Sequence, residues 1–196
     1  MRIKVWITST AIATIGVAAW AHTGATGVVL ERMQGMSAMG ESIKTLTPMM
    51  RGQVPYDADQ VRREADTVIR HAGEQMTRLF PDGSGGGVSK ALPTVWGDWD
   101  EFAALAAELE TAAQGLKLSA GNGLAMKQSN SGASMMGDTS GGMIGGGTTT
   151  AMGGGMMGSN QPMSSEMFAN MPTDAAFTMV AQSCAACHQK FRKEDK

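Results

Sequence analysis

The chain has two cysteines among its 196 residues, and both fall in Cys184-Ala185-Ala186-Cys187-His188, close to the C-terminus. On a helix, residues three or four apart share a face, so this spacing presents two thiols and an imidazole to one neighbourhood. Covalent haem attachment needs that arrangement: two thioether bonds pin the porphyrin edge, and the adjacent histidine reaches the iron as proximal ligand. The small Ala185 and Ala186 do not crowd the ring. A disulfide between Cys184 and Cys187 is the plain structural alternative. A zinc site would need more ligands nearby, and a thioredoxin-like redox pair belongs to a βαβ pattern that is absent.

Helices must position these residues. Val29, Met33, Met36, Gly40, Ile43 and Met50 recur at helical steps and predict a first helix running to Arg51. Asp57 followed by Gln60 marks the start of a second, with Val61, Ala65, Val68, Ile69, Ala72, Met76 and Leu79 on its inner face. Phe80-Pro81-Asp82-Gly83 stops it, and the run to Val88 is a Gly/Ser loop. A third helix starts at Pro93 or Thr94, presents Trp96, Trp99, Phe102, Leu105, Leu109, Ala112 and Leu116, and frays at Gly115 and Gly121. A fourth, capped by Thr173, aligns Phe177, Val180, Cys184, His188 and Phe191. Trp96 and Phe80 read as core residues, and His71 as a boundary residue of the second helix. The fold expected is all-α, an antiparallel four-helix bundle with helices one and four side by side.

Between the third and fourth helices, residues 119–171 change to Gly, Ser, Thr, Asn and Met in low-complexity order. This reads as a disordered insertion that costs little, because closure entropy grows only logarithmically with loop length. Ten of the 18 methionines lie in it, so the enrichment is local rather than a property of the core. Met135-Met136 and Met156-Met157 offer soft thioethers to Cu(I), with His22 a further candidate, and a copper-handling role is one alternative; a linker is the other.

Arg2 and Lys4, the apolar stretch Val5 to Ala18 and the small-x-small Ala19-Trp20-Ala21 have the form of an export signal cleaved before His22. Thr8, Ser9, Thr10 and Thr14 interrupt the stretch, which argues against a retained anchor and for a periplasmic chain without stable membrane association. The expected division is a signal at 1–21, three bundle helices at 22–118, the insertion at 119–171 and the attachment helix at 172–196. A net charge of −2 with dispersed signs excludes the basic stripe of a nucleic-acid binder. Aromatic residues make up only 5% of the chain, so a flat bound cofactor would supply missing apolar bulk.

Several segments carry a family resemblance: Val29-Leu30-Glu31-Arg32 with Met36 and Met39-Gly40, Gly52 to Asp57, Leu79-Phe80-Pro81, Ala91-Leu92-Pro93, Val95-Trp96 through Phe102, and Cys184 to Arg192. In these the chain resembles the class II c-type cytochromes, the cytochrome c′ group and its low-spin relatives. The resemblance implies a four-helix bundle with one covalent haem c on its last helix; the Gly/Met insertion departs from the family, whose last two helices are joined by a short loop. It also implies that Met36 faces the distal side of the iron, as a ligand or as a plug over a five-coordinate haem; simple core packing, as for Met33 and Met39, is the other reading. It further implies that Arg32 approaches a haem propionate and that Arg192 lies near the proximal imidazole of His188. Unaided, Arg32 reads as a solvated charge and Arg192 as a cation suited to a helix C-terminus.

The leading expectation is therefore an exported monohaem electron carrier with His188 and Met36 as axial ligands, serving redox partner proteins and compatible with a homodimer. The alternative is a five-coordinate cytochrome c′ that binds nitric oxide or carbon monoxide. Enzymatic turnover is not expected, since no acid/base pair or nucleophile arrangement accompanies the motif.

Overall fold

The computed structural model describes residues 24–125 and 165–194. The residues 1–21 read as an export signal, His22 and the paired methionines at 135–136 and 156–157 lie outside the described residues. Among the described residues the helices are α1 (Gly27–Met50), α2 (Ala58–His71), α3 (Gly73–Thr77), α4 (Thr94–Gly97), α5 (Trp99–Ser119), α6 (Ser165–Ala169) and α7 (Thr173–Phe191). The long ones, α1, α2, α5 and α7, form the expected all-α bundle.

Pairs across the interfaces fix its antiparallel sense. Ser42 Oγ donates to Glu64 Oε2 at 2.7 Å between α1 and α2, and Lys117 Nζ meets Asp66 Oδ1 at 2.8 Å between α2 and α5. Along α5 and α7, Thr173 Oγ1 donates to Ser119 O at 2.7 Å, Ser183 Oγ to Glu108 Oε1 at 3.4 Å, and Phe191 meets Phe102 edge to face with ring centres 5.4 Å apart. Among the described residues the α5–α7 contact is the most extensive, whereas α1 packs on α2 and touches α7 only sparsely.

Local chemistry explains most boundaries. The Asp57 carboxylate accepts from the backbone N–H groups of Asp59 (2.9 Å) and Gln60 (3.0 Å), capping α2 as expected. The single helix expected after it is instead broken at Ala72, because Gly73 takes a left-handed φ of +56° and the Glu110 side chain occupies the space where a Cβ would sit. The third helix is likewise split, with Asp98 at φ −116° and ψ 47° separating the single turn α4 from α5.

The inward face of α1 also differs from expectation. Its buried residues are Arg32, Gly35, Met39, Ser42, Leu46 and Met49, while Met33, Met36 and Ile43 are half-buried beside that stripe. Residues of α1 are apolar or small nearly all round, so periodicity alone does not choose between adjacent stripes. Gly35 makes the choice physical: it lets His71 of α2 come within 3.1 Å of where a Cβ would stand.

The insertion's boundaries at 119–171 need correction at both ends. Gly115 does not fray the third helix but sits buried inside α5, where the Phe168 ring of α6 fills the place of its absent Cβ. Phe168 is 2% exposed. Asn122 Nδ2 donates to Ala169 O and Met171 O, both at 2.7 Å, and Thr173 N donates to Gly123 O at 2.9 Å. Thr173 does not cap α7 through its side chain; its hydroxyl serves Ser119 instead. Only 126–164 of the expected insertion falls outside the described residues.

Two outcomes follow. Phe168→Ala should destabilise the protein by about 3–5 kcal/mol, the cost of emptying a buried aromatic site, whereas truncating the exposed Met167 should cost within about 0.5 kcal/mol; denaturant melts measure both. Tyr56 hydrogen-bonds Ala120 O (2.6 Å) and Thr173 Oγ1 (2.8 Å), and burial raises its pKa above the ordinary 10.0. The unfolded chain then loses this proton before the folded one does, so stability should fall as pH rises past 10; Tyr56→Phe should flatten that part of a Tm–pH curve.

Candidate haem site

The second half of α7 carries Cys184, Cys187 and His188, and several contacts fix how that half is rotated. Phe191 is buried against Phe102, Arg192 N closes the last turn on His188 O at 3.1 Å, and Thr94 Oγ1 donates to Lys190 O at 3.0 Å. The exit of α7 then pairs with the loop before α4: Leu92 N donates to Phe191 O at 2.9 Å and Lys193 N to Lys90 O at 2.8 Å.

Both thiols are free and half-buried, which leaves the disulfide alternative unrealised. Burial pushes the Cys184 thiol up and the Cys187 thiol to about 11, with the neighbouring Cys184 adding to the latter. His188 sits exposed at the rim; partial desolvation, and then the Arg192 cation, lower its pKa. At neutral pH the group is therefore two protonated thiols and a neutral imidazole with a nitrogen lone pair to offer. Among the described residues no group of three or more His, Cys, Asp and Glu side chains gathers as a metal site.

A cavity of about 410 Å³ opens where α1 and α7 stand apart. Met33, Met36 and Ser37 line one wall, Cys187 and His188 the other, and Phe80, Val95, Phe102 and Phe191 make an apolar floor. Arg32, Lys90 and Arg192 bring positive charge to it. An apolar slot with cations at its border, thiols and an imidazole on one side and a thioether opposite, fits an apolar macrocycle that carries two carboxylates. Of the residues singled out by sequence, Arg32, Met36, Cys187, His188 and Arg192 meet at this cavity; Cys184 packs one turn earlier on α7 against the core, and Met39 lies in the core itself.

Arg32 is not a solvated charge. It is 6% exposed, its guanidinium lies 4.6 Å above the Phe80 ring, and it donates to Leu79 O (3.2 Å), Ser84 Oγ (3.1 Å), Ser84 O and Ser89 Oγ (2.9 Å). Sequence reasoning missed Ser84, Ser89 and Lys90, because a Gly/Ser run has no periodicity to announce that it lines a site. The one signal available was an arginine one helical turn before Met36, on the same side of α1.

Fold and donor set together define a helical-bundle haem protein. The cytochrome c′ family description matches residues 27–139, more than half of the chain. Similar proteins include cytochrome c-556 of Agrobacterium tumefaciens (36% identical over 83 residues, 42% of this chain and 66% of the relative) and cytochrome c′ of Rhodopseudomonas palustris (33% over 94 residues, 46% and 64%). The chain thus spans just under two thirds of the length of these relatives. Among solved structures, cytochrome c′ of Thermochromatium tepidum superposes with a TM-score of 0.54 at 22% identity, over 85% of this chain and 95% of that one. A nitric oxide complex of a variant cytochrome c prime from Alcaligenes xylosoxidans gives 0.55 at 21% identity, over 85% and 94%; both likenesses show the fold. The chain belongs to the cytochrome c′ family, and its cofactor is covalently attached haem c.

If Cys184 and Cys187 are the attachment points, denatured protein should keep its haem stain on a gel. A Cys184→Ala, Cys187→Ala double variant should lose the stain completely, and covalent haem retained in that variant would refute the assignment.

Proposed function

We propose that this protein is an exported, periplasmic monohaem electron carrier in which Cys184 and Cys187 hold the haem and His188 and Met36 are its axial ligands. The observation that carries the reading is the placement of Met36 on the cavity wall opposite Cys187 and His188, a wall it shares with Met33, while Met39, three residues on, is buried in the core. A thioether is a soft ligand that favours the reduced iron, which suits a six-coordinate carrier of raised potential. Bound haem supplies the one-electron couple. The chain's own residues do the rest: the aromatic floor excludes water, the neutral His188 offers a nitrogen, and Met36 closes the opposite side. Redox proteins are the partners this role requires, and no helix among the described residues is long and apolar enough to cross a membrane.

Gas binding is the second reading. Its support is the likeness to a fold that carries nitric oxide in the Alcaligenes xylosoxidans complex. There Met36 would cover the iron without bonding it.

The optical spectrum separates the two. Under the carrier reading the oxidised protein is low-spin with a weak near-infrared sulfur-to-iron band. Met36→Ala should abolish both features, lower the reduction potential and admit carbon monoxide. A high-spin wild-type protein that binds carbon monoxide readily would sink Met36 ligation and favour the gas binder.

A further inference from the structure

The two walls of the cavity have little direct contact, α1 being seated on α2 and α7 on α5, and a further connection joins them at the cavity end. The only covalent route between α3 and α4, residues 78–93, passes both walls. On the α1 side, all four terminal N–H groups of Arg32 are spent on this strap, at Leu79, Ser84 and Ser89. On the α7 side the strap pairs with the helix exit through Lys90 O and Leu92 N, and Lys193 Nζ reaches Ser89 O at 3.4 Å. Ser89 therefore holds both walls, its hydroxyl taking Arg32 and its carbonyl taking Lys193.

The strap has little stiffness of its own. Gly83, Gly86 and Gly87 all have positive φ, and a Gly-rich segment stays in one conformation only where outside contacts hold it. Trp96 supplies one such contact: its Nε1 donates to Phe80 O at 3.0 Å, and its ring lies 2.8 Å from where a Gly85 Cβ would be. Arg32 supplies those on the α1 side. Among the described residues no carboxylate ion-pairs with it, so its charge is satisfied by strap carbonyls and hydroxyls and by the Phe80 face.

From this geometry we infer that Arg32 is a positioning residue: by anchoring the strap it sets how closely Met36, one turn further along α1, approaches His188 across the haem cavity. The inference rests on the proposed distal role of Met36. It differs from the propionate pairing that the family resemblance implies, since only Nε–H of Arg32 is left uncommitted by these bonds. Removing the guanidinium strands two carbonyls and two hydroxyls that it now satisfies, and the strap should loosen.

The test uses full-length holoprotein and three variants: Arg32→Gln, Arg32→Lys, and the pair Ser84→Ala with Ser89→Ala, which keeps the cation and removes two of its acceptors. Three quantities are read: the rate of carbon monoxide binding to the reduced protein, the sulfur-to-iron band, and amide hydrogen exchange across 83–90. Arg32→Gln and the serine pair should each speed carbon monoxide binding by at least about tenfold, since one charge-assisted hydrogen bond alone is worth about that factor and the variants remove up to four and two of them. Both should weaken the band and raise exchange in the strap. Arg32→Lys should restore part of the wild-type behaviour, and combining Arg32→Gln with the serine pair should add little, because both cut one anchor.

A silent serine pair beside a strong Arg32→Gln effect would overturn the inference in favour of direct propionate pairing. Unchanged carbon monoxide rates in all variants would overturn it outright. Should Arg32→Gln fail to retain haem, the serine pair decides the matter alone. Failure of Met36 ligation shows separately, as a high-spin wild-type spectrum, and the carbon monoxide rates then still report whether the strap sets the width of the distal side.

Discussion

Everything at the cavity depends on the packing of α7 along α5. From Thr173 beside Ser119 to Phe191 beside Phe102, the two helices stay in register for the whole length of α7, and this fixes which face of α7 turns towards α1. Aromatic contact does this well at the cavity end, because Phe80, Phe102 and Phe191 meet edge to face, with centres 4.8 and 5.4 Å apart along the chain of rings. With the rotation of α7 settled, the thiols and imidazole need no further device to aim them. The α1 wall is seated on α2 and has little direct contact with α7, and at the cavity end a polar strap links the two.

That division of labour has an energetic logic. Side chains meeting directly across α1 and α7 would fill the space a cofactor requires, since close-packed interiors leave few voids larger than a water molecule. A wall held from one edge by hydrogen bonds leaves the interior open. Arg32 suits the task because its rigid fork satisfies several acceptors at once, and a lysine in its place would meet them with a single flexible ammonium.

The bundle, the antiparallel order and the motif on the last helix were legible in the sequence, because Asp57 capping, the long apolar faces and Cys184 to His188 are each local patterns. What was not legible depended on contacts distant in the chain. The inward stripe of α1 is chosen by His71 closing on Gly35, the break before α3 by Glu110 filling the space at Gly73, and the true edge of the Gly/Met segment by Phe168 seating on Gly115. Each is a glycine whose missing side chain matters only once its partner is known. The unaided reading of Arg32 as a solvated charge failed for a similar reason: a charged side chain looks solvent-bound until the loop that surrounds it is folded.

One consequence concerns the topology of the chain. Gly24, just before α1, lies with its Cβ position 3.9 Å from Val88, and Lys193, just after α7, bonds Ser89. The entry to α1 and the exit of α7 thus arrive at neighbouring strap residues. At the opposite pole Asn122, just after α5, bonds Ala169 and Met171 on the approach to α7. The helices therefore form a ring with two seams, one at each pole, and the order in which they are threaded is a matter of where the ring is cut. Joined at the strap and opened at the Asn122 seam, the same bundle would be written with its haem helix first.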